Sequence, residues 1–271
     1  MRWVVLLFWT LGASGNLRVF PTRLVLSQKN RVGSLGLRHM GTEVTTYRIS
    51  AVFYRMNPDG SVALAESPSP DERSAVPLIR FSPRQVTLSP GSNTDQTVRV
   101  RYAGPTDLEE GDYRAHIHFE PLPQETATKP DEAKKDKITM KLQVRLAVAV
   151  PVLYRQGNPT TKVALSGLKV AQSKEPAEAA KELAFDADME AVGKAFAFGN
   201  IFAFFVPADP KATPIPVGAV RSLASYIPKR HLHYPLSPPE GLALKKGKLR
   251  LEFREPEENG GELLAQTESD L

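Results

Sequence analysis

The sequence predicts an all-β protein built as two β-sandwich domains. Short runs of alternating apolar and polar residues recur between turn signals through the first half of the chain. Gly157-Asn158-Pro159 then breaks the pattern, as a linker would. The length of 271 residues, 41% of them apolar, suffices for two cores of sandwich size.

Residues 1–15 are read as a cleaved signal peptide that exports the protein to the periplasm. Arg2 is a short basic start, Trp3 to Leu11 is an apolar run, and Ala13-Ser14-Gly15 supplies small residues for cleavage. Asn16 is the expected first mature residue, and residues 16–157 form the expected first domain. Its strand candidates are Leu17 to Phe20, Leu24 to Leu26, Tyr47 to Tyr54, Val86 to Leu88, Thr97 to Tyr102 and Tyr113 to Phe119. Met56 to Ser61, with Asn-Pro and Asp-Gly pairs, reads as a turn. Pro121 to Lys137 holds almost no large apolar side chain and reads as a flexible loop.

The segment that follows alternates without a fault. Ile138, Met140, Leu142, Val144, Leu146, Val148, Val150 and Val152 occupy every even position. The odd positions up to Arg145 are polar, so a strand here carries all its large apolar groups on one face. That face either packs into the chain's own core or meets a partner. Residues 158–271 are the expected second domain. Lys174 to Glu182 reads as a loop or one helical turn. Leu183 to Met189, Ala195 to Val206, Leu249 to Phe253 and Glu262 to Gln266 read as strands, with a turn at Gly260-Gly261 between the last two.

The absence of cysteine excludes a disulfide framework, a thiol nucleophile and thiolate metal sites. A net charge of +5 favours neutral or acidic partners. The basic residues are scattered through strand-like segments, with no basic helix and no RNA-binding aromatic motif, so nucleic acid is not an expected partner. His116-x-His118 and His231-x-His233 each place two imidazoles on one strand face, but no Asp or Glu at a matching offset completes a metal set. No nucleophile elbow, phosphate loop or dinucleotide fingerprint occurs. The expectation is therefore a non-enzyme with no catalytic residues, no cofactor, no metal and no bound nucleotide.

Several motifs, in order, carry a resemblance to a family. They are Thr22-Arg23-Leu24-Val25-Leu26, the run Ile79 to Gly91, Gln96 to Arg101, Gly111-Asp112-Tyr113-Arg114, and Val150-Pro151-Val152-Leu153-Tyr154-Arg155. Together they resemble the PapD-like periplasmic chaperones of the chaperone–usher pilus pathway, over about residues 17–157. The resemblance implies two Ig-like domains. It implies that pilus or fimbrial subunits, which lack a final strand, are held by a strand lent from the chaperone. It places the lent side chains at Ile138, Met140, Leu142, Val144 and Leu146, with Leu142, Val144 and Leu146 as the main positions. It assigns Arg23 to the subunit's terminal carboxylate. It pairs Glu110 with Arg155 as an inter-domain ion pair. Two departures stand out. Pro151 occupies the position of the family's second anchor, normally Lys, and a strand ladder should stop or bulge there. His39 replaces the family's usual Asn. The implied partners are pilus subunits and an outer-membrane usher. An exported Ig-like adhesion or structural module is the alternative.

Overall fold

The computed structural model describes residues 17–91, 96–123, 146–172, 183–209 and 211–271. Residues 1–15, most of the expected Pro121 to Lys137 loop and all of Lys174 to Glu182 lie outside the described residues. The chain runs through β1 (Leu17–Phe20), β2 (Leu24–Ser27), β3 (Val32–His39), β4 (Thr45–Val52), β5 (Tyr54–Met56), β6 (Val62–Leu64), β7 (Ile79–Ser82), β8 (Gln85–Leu88), β9 (Gln96–Tyr102), β10 (Gly111–Pro121) and β11 (Val148–Gln156). It continues through β12 (Thr161–Gln172), β13 (Leu183–Gly193), β14 (Ala197–Pro207), β15 (Ile215–Ser225), β16 (Lys229–Pro235), β17 (Gly247–Arg254) and β18 (Leu263–Asp270). Short 3-10 turns are the only helical elements among the described residues.

The residues form two compact units. The first holds the chain through Val52, Ser74–Thr106 and Arg114–Tyr154, and the second holds Phe53–Arg73, Asp107–Tyr113 and Arg155–Leu271. In the first unit one sheet has the order β1-β3-β9-β7 and the other β2-β11-β10-β4-β8. With β1 and β2 taken as one first strand and β7 and β8 as one fourth strand, this is the Ig order, A-B-E-D against C-F-G. The first strand changes sheets across Pro21 and the fourth across Pro83, and both X-Pro bonds are cis.

Period-two alternation accounts for the core. In β9, Val98, Val100 and Tyr102 are buried while Arg99 and Arg101 point to water. Opposite them β10 buries Ile117 and Phe119, and β4 buries Tyr47 and Ile49. Tyr102 stacks on Tyr154 with ring centroids 3.5 Å apart and planes within 7°.

His116 on β10 is buried at 5% exposure, on the strand face opposite to Ile117 and Phe119. Its imidazole is pushed down to about 3, first by burial and then by the Arg114 guanidinium. The unfolded chain protonates this group near the ordinary value of about 6.5. The folded state keeps it neutral, so its contribution to stability is intact above about pH 6.5 and declines as pH falls from there toward 3. The slope for this one group is roughly 1.4 kcal/mol per pH unit. His116→Gln should flatten the acid limb of stability between pH 6.5 and 5 by about 2 kcal/mol, measured by urea unfolding at several pH values. Identical slopes for variant and wild type would refute the assignment.

The second unit packs β12-β13-β16 against β15-β14-β17-β18, the Ig order A-B-E against C′-C-F-G. Phe185, Met189 and Leu232 of one sheet share a core with Ile201, Leu251 and Phe253 of the other. Gly167, at φ +62°, sits in the bulge that shifts β12 between Ser166 and Lys169. The hairpin of β5 and β6 belongs to this unit. Its turn is closed by Asp59, whose Oδ1 accepts from the Ser61 amide at 2.9 Å, and by Gly60 at φ +84°. The Pro58 carbonyl then accepts from the His231 amide at 2.6 Å.

Candidate functional site

β11 is the strand that the alternating segment enters. It lies between β2 and β10, and at nine residues it is more than twice the length of the four-residue β2. Part of its β2-side edge therefore runs past the end of its neighbour. Pro151, which donates no backbone hydrogen bond, is tolerated on such a strand, and the strand continues through it. One edge of a strand can lack a donor without breaking the other.

The even-numbered face of β11 is core. Val152 is fully buried, Val150 and Tyr154 nearly so, and Val148 is partly covered. One step further toward the N-terminus the same parity reaches Leu146, which is 47% exposed. An apolar stripe thus leaves the unit's own core before its alternation in the sequence ends. Ile138, Met140, Leu142 and Val144 lie outside the described residues. Arg23 stands in the bend between β1 and β2, half-buried, next to the strand that flanks β11.

The other end of β11 carries Arg155. Its Nε donates to Asp112 Oδ1 at 2.7 Å and its Nη2 to Asp112 Oδ2 at 2.8 Å, a bidentate pair. The Asp112 side chain has no exposed surface, and it also accepts from the Phe196 amide at 3.0 Å. The hydrogen bonds it donates to the Asp112 carboxylate, together with that group's charge, raise the Arg155 guanidinium above its ordinary value against the opposing effect of burial. Arg155 was expected to pair with Glu110, and this is corrected. Glu110 lies just before β10, and its Oε1 accepts from the Asn158 amide at 3.0 Å. Asp112 is inside the strand beside β11, so the pleat aims it at Arg155. Asp112, Glu110, Arg155 and Asn158 all belong to the second unit.

His231 and His233 meet acidic partners on the neighbouring strand. The register of β13 with β16 sets Asp186 opposite His233 and Asp188 opposite His231. The ring Nδ1 atoms lie 2.6 Å from Asp186 and 3.0 Å from Asp188. Burial alone would raise the Asp186 carboxyl. The His233 hydrogen bond, with the charges of His233, His231 and Lys169, outweighs it and holds that carboxyl below its ordinary value. Offsets within one strand cannot reveal such pairs, since the partners come from the neighbouring strand. Among the described residues, no group of three or more His, Asp or Glu is placed to hold a metal ion. Among them, too, no helix is long and apolar enough to cross a membrane.

The fold defines an all-β protein of two Ig-like sandwiches. No protein-family model matches the chain, and no curated protein matches it. Solved structures similar to it include a chain of the chaperone–tip adhesin complex of CFA/I fimbriae biogenesis, at 10% identity and TM-score 0.45 over 94% of this chain and 98% of that one. The class 5 fimbriae chaperone CfaA is similar at 12% identity and TM-score 0.42 over 94% and 99%. A chain of the Salmonella enterica SafA pilin complex with the SafB chaperone is similar at 11% identity and TM-score 0.41 over 96% and 98%.

Proposed function

We propose that this chain is a divergent PapD-like periplasmic chaperone, a non-enzymatic protein that stabilises pilus or fimbrial subunits by lending them a strand. The observation that carries the reading is the stripe on β11, buried from Val150 to Tyr154 and exposed at Leu146 while the apolar alternation runs on to Ile138. A long apolar strand edge without a partner is an aggregation hazard that natural sandwiches avoid. A subunit lacking its last strand supplies the missing partner: backbone hydrogen bonds give affinity, and alternate side chains fill its groove. Leu142, Val144 and Leu146 are the main lent side chains in this proposal, with Ile138 and Met140 beyond them. Arg23 holds the subunit's terminal carboxylate by a bidentate contact. Pro151 carries no charge, so the second member of the family's usual clamp is missing and Arg23 carries more of the anchoring. Replacement of the lent strand at an outer-membrane usher then releases the subunit, with no nucleotide consumed.

The test is co-purification from periplasm of the tagged chain with a pilin-like subunit encoded beside it. A variant carrying Leu142→Glu and Val144→Glu is run in parallel, and circular dichroism confirms that it remains folded. The subunit should co-purify with wild type and be lost or degraded with the variant. If the variant holds the subunit equally well, strand lending is wrong. If wild type captures no subunit, the exported adhesion or structural module becomes the better account.

A further inference from the structure

In the second unit, β14 buries Ile201, Ala203 and Phe205 in the core. Its even-numbered residues Asn200, Phe202 and Phe204 therefore stand on the outward face of the sheet. Register sets Phe202 between Ala219 of β15 and Glu252 of β17, and Phe204 between Pro216 and Arg250. Ala219 is too short to cover a phenyl ring, and both rings remain partly exposed. The Arg250 guanidinium lies over the Phe204 ring, 5.6 Å from its centroid, so Phe202 is the freer of the two. Asn200, Phe202, Phe204, Glu252 and Arg254 line a cavity of about 330 Å³, at the small end for ligand pockets. The turn after β17 adds Glu255 and Glu257. The polar groups are held in place. Glu252 is 6% exposed, and its carboxylate meets Nε of Arg254 at 2.8 Å and Nε of Arg250 at 3.1 Å. Asn200 is 7% exposed, and its Oδ1 accepts from the Ser222 amide at 2.9 Å. That bond fixes which way the side-chain amide points. Its Nδ2 is left with two N–H groups and no partner among the described residues. A donor so deeply set in a cavity wall marks where the acceptor of a ligand belongs.

The inventory of donors and acceptors selects the ligand. Three carboxylates, at Glu252, Glu255 and Glu257, disfavour an anion. An ammonium group carries donors only and would leave Asn200 Nδ2 unpaired. An extended peptide pairs with an open strand edge, whereas β14 is bonded on both sides, by β15 and β17. The ligand that fits has a carbonyl acceptor for Asn200, N–H and O–H donors for the carboxylates, and an apolar surface for the phenyl rings. An N-acetylated amino sugar has all of these. Its acetamido carbonyl is a strong acceptor, its acetamido N–H and hydroxyls donate, and its methyl group and ring C–H face pack on an aromatic ring.

We propose that this cavity binds an N-acetylated amino sugar. Asn200 Nδ2 donates to the acetamido carbonyl, the sugar's own donors meet Glu255 and Glu257, and the acetyl methyl packs on Phe202. The lining residues all belong to the second unit, so the site stands independently of strand lending. The experiment is titration calorimetry of the full mature chain with N,N′-diacetylchitobiose. Cellobiose, which has hydroxyls in place of the acetamido groups, is titrated in parallel. Wild type should bind diacetylchitobiose at least about tenfold tighter than cellobiose, because the hydroxyl is too short to reach both the amide donor and the ring. Phe202→Leu keeps an apolar side chain but removes the ring face, and should weaken binding about fivefold. Asn200→Asp keeps the acceptor for Ser222 and exchanges the free donor for a carboxylate oxygen, which should abolish binding. Phe202→Leu should melt with wild type, and its result decides if Asn200→Asp fails to fold. Saturation-transfer NMR should place the strongest protein contact on the acetyl methyl. No binding of diacetylchitobiose at about 10 mM overturns the proposal. So does equal affinity for cellobiose, or unchanged affinity in the folded Phe202→Leu variant.

Discussion

Replacing Arg155 with Ala will destabilise the protein by about 3 kcal/mol, the low end for breaking a buried ion pair. The reason is what remains behind. Asp112 has no exposed side-chain surface, and without the guanidinium its carboxylate keeps one backbone donor, the Phe196 amide. A buried carboxylate with so little compensation is expensive. The low end applies because the Arg155 side chain is 36% exposed, so water already screens one partner. Asp112→Asn in the Arg155→Ala background removes the uncompensated charge and should recover part of the loss. A double-mutant cycle by urea unfolding isolates the coupling between the two side chains. If the single variant unfolds within about 0.5 kcal/mol of wild type, the pair is ornamental.

Gly199→Ala is the second large effect, and its cause is steric. A Cβ at Gly199 would lie 2.3 Å from the backbone oxygen of Arg254 and 2.8 Å from a ring carbon of Phe253. Phe253 is fully buried in the core of the second unit, and the oxygen belongs to β17, paired with β14. Neither can swing aside as the end of a flexible side chain would. The strands must part locally, at about 2–3 kcal/mol for overpacking of this kind. For a protein of this size that lowers Tm by roughly 5–10 °C. Gly218→Ala is the control. Its new Cβ would meet its nearest neighbours at 3.4 and 3.5 Å, ordinary contact distances, and should change stability by less than about 1 kcal/mol. Calorimetry of the two variants decides the matter; a Gly199→Ala protein that melts with wild type would show that the two strands are less tightly packed than described.

Some strands were legible because a half-buried strand writes its own period. β9 and β10 alternate, as do the large apolar residues of β17 (Leu249, Leu251, Phe253) and the even-numbered face that runs into β11. Others were not legible. β3 contains Gly33 and Gly36, and Gly36 is covered by the Phe20 ring rather than by a side chain of its own. In β12, the Gly167 bulge shifts the faces halfway along and erases the alternation. Tyr47 to Tyr54 reads as one strand, yet β4 ends at Val52, and Tyr54 begins the hairpin that belongs to the second unit. Local β propensity is equally high on both sides of Phe53, so nothing in the residues marks the change of partner.

The sequence by itself determined the all-β class and the parity of β11, because each follows from local period. Tertiary structure alone decided who meets whom. Glu110 and Asp112 are both carboxylates within reach of Arg155 on paper, and only strand adjacency and pleat select Asp112. His231 and His233 lack acids in their own strand, and only the register with β13 supplies Asp188 and Asp186. Asn200 and Phe202 are far from Arg254 and Glu252 along the chain, and only the register of β14 with β17 sets them opposite one another. Pairing across strands depends on register, and register is set by the packing of the whole core rather than by any one segment.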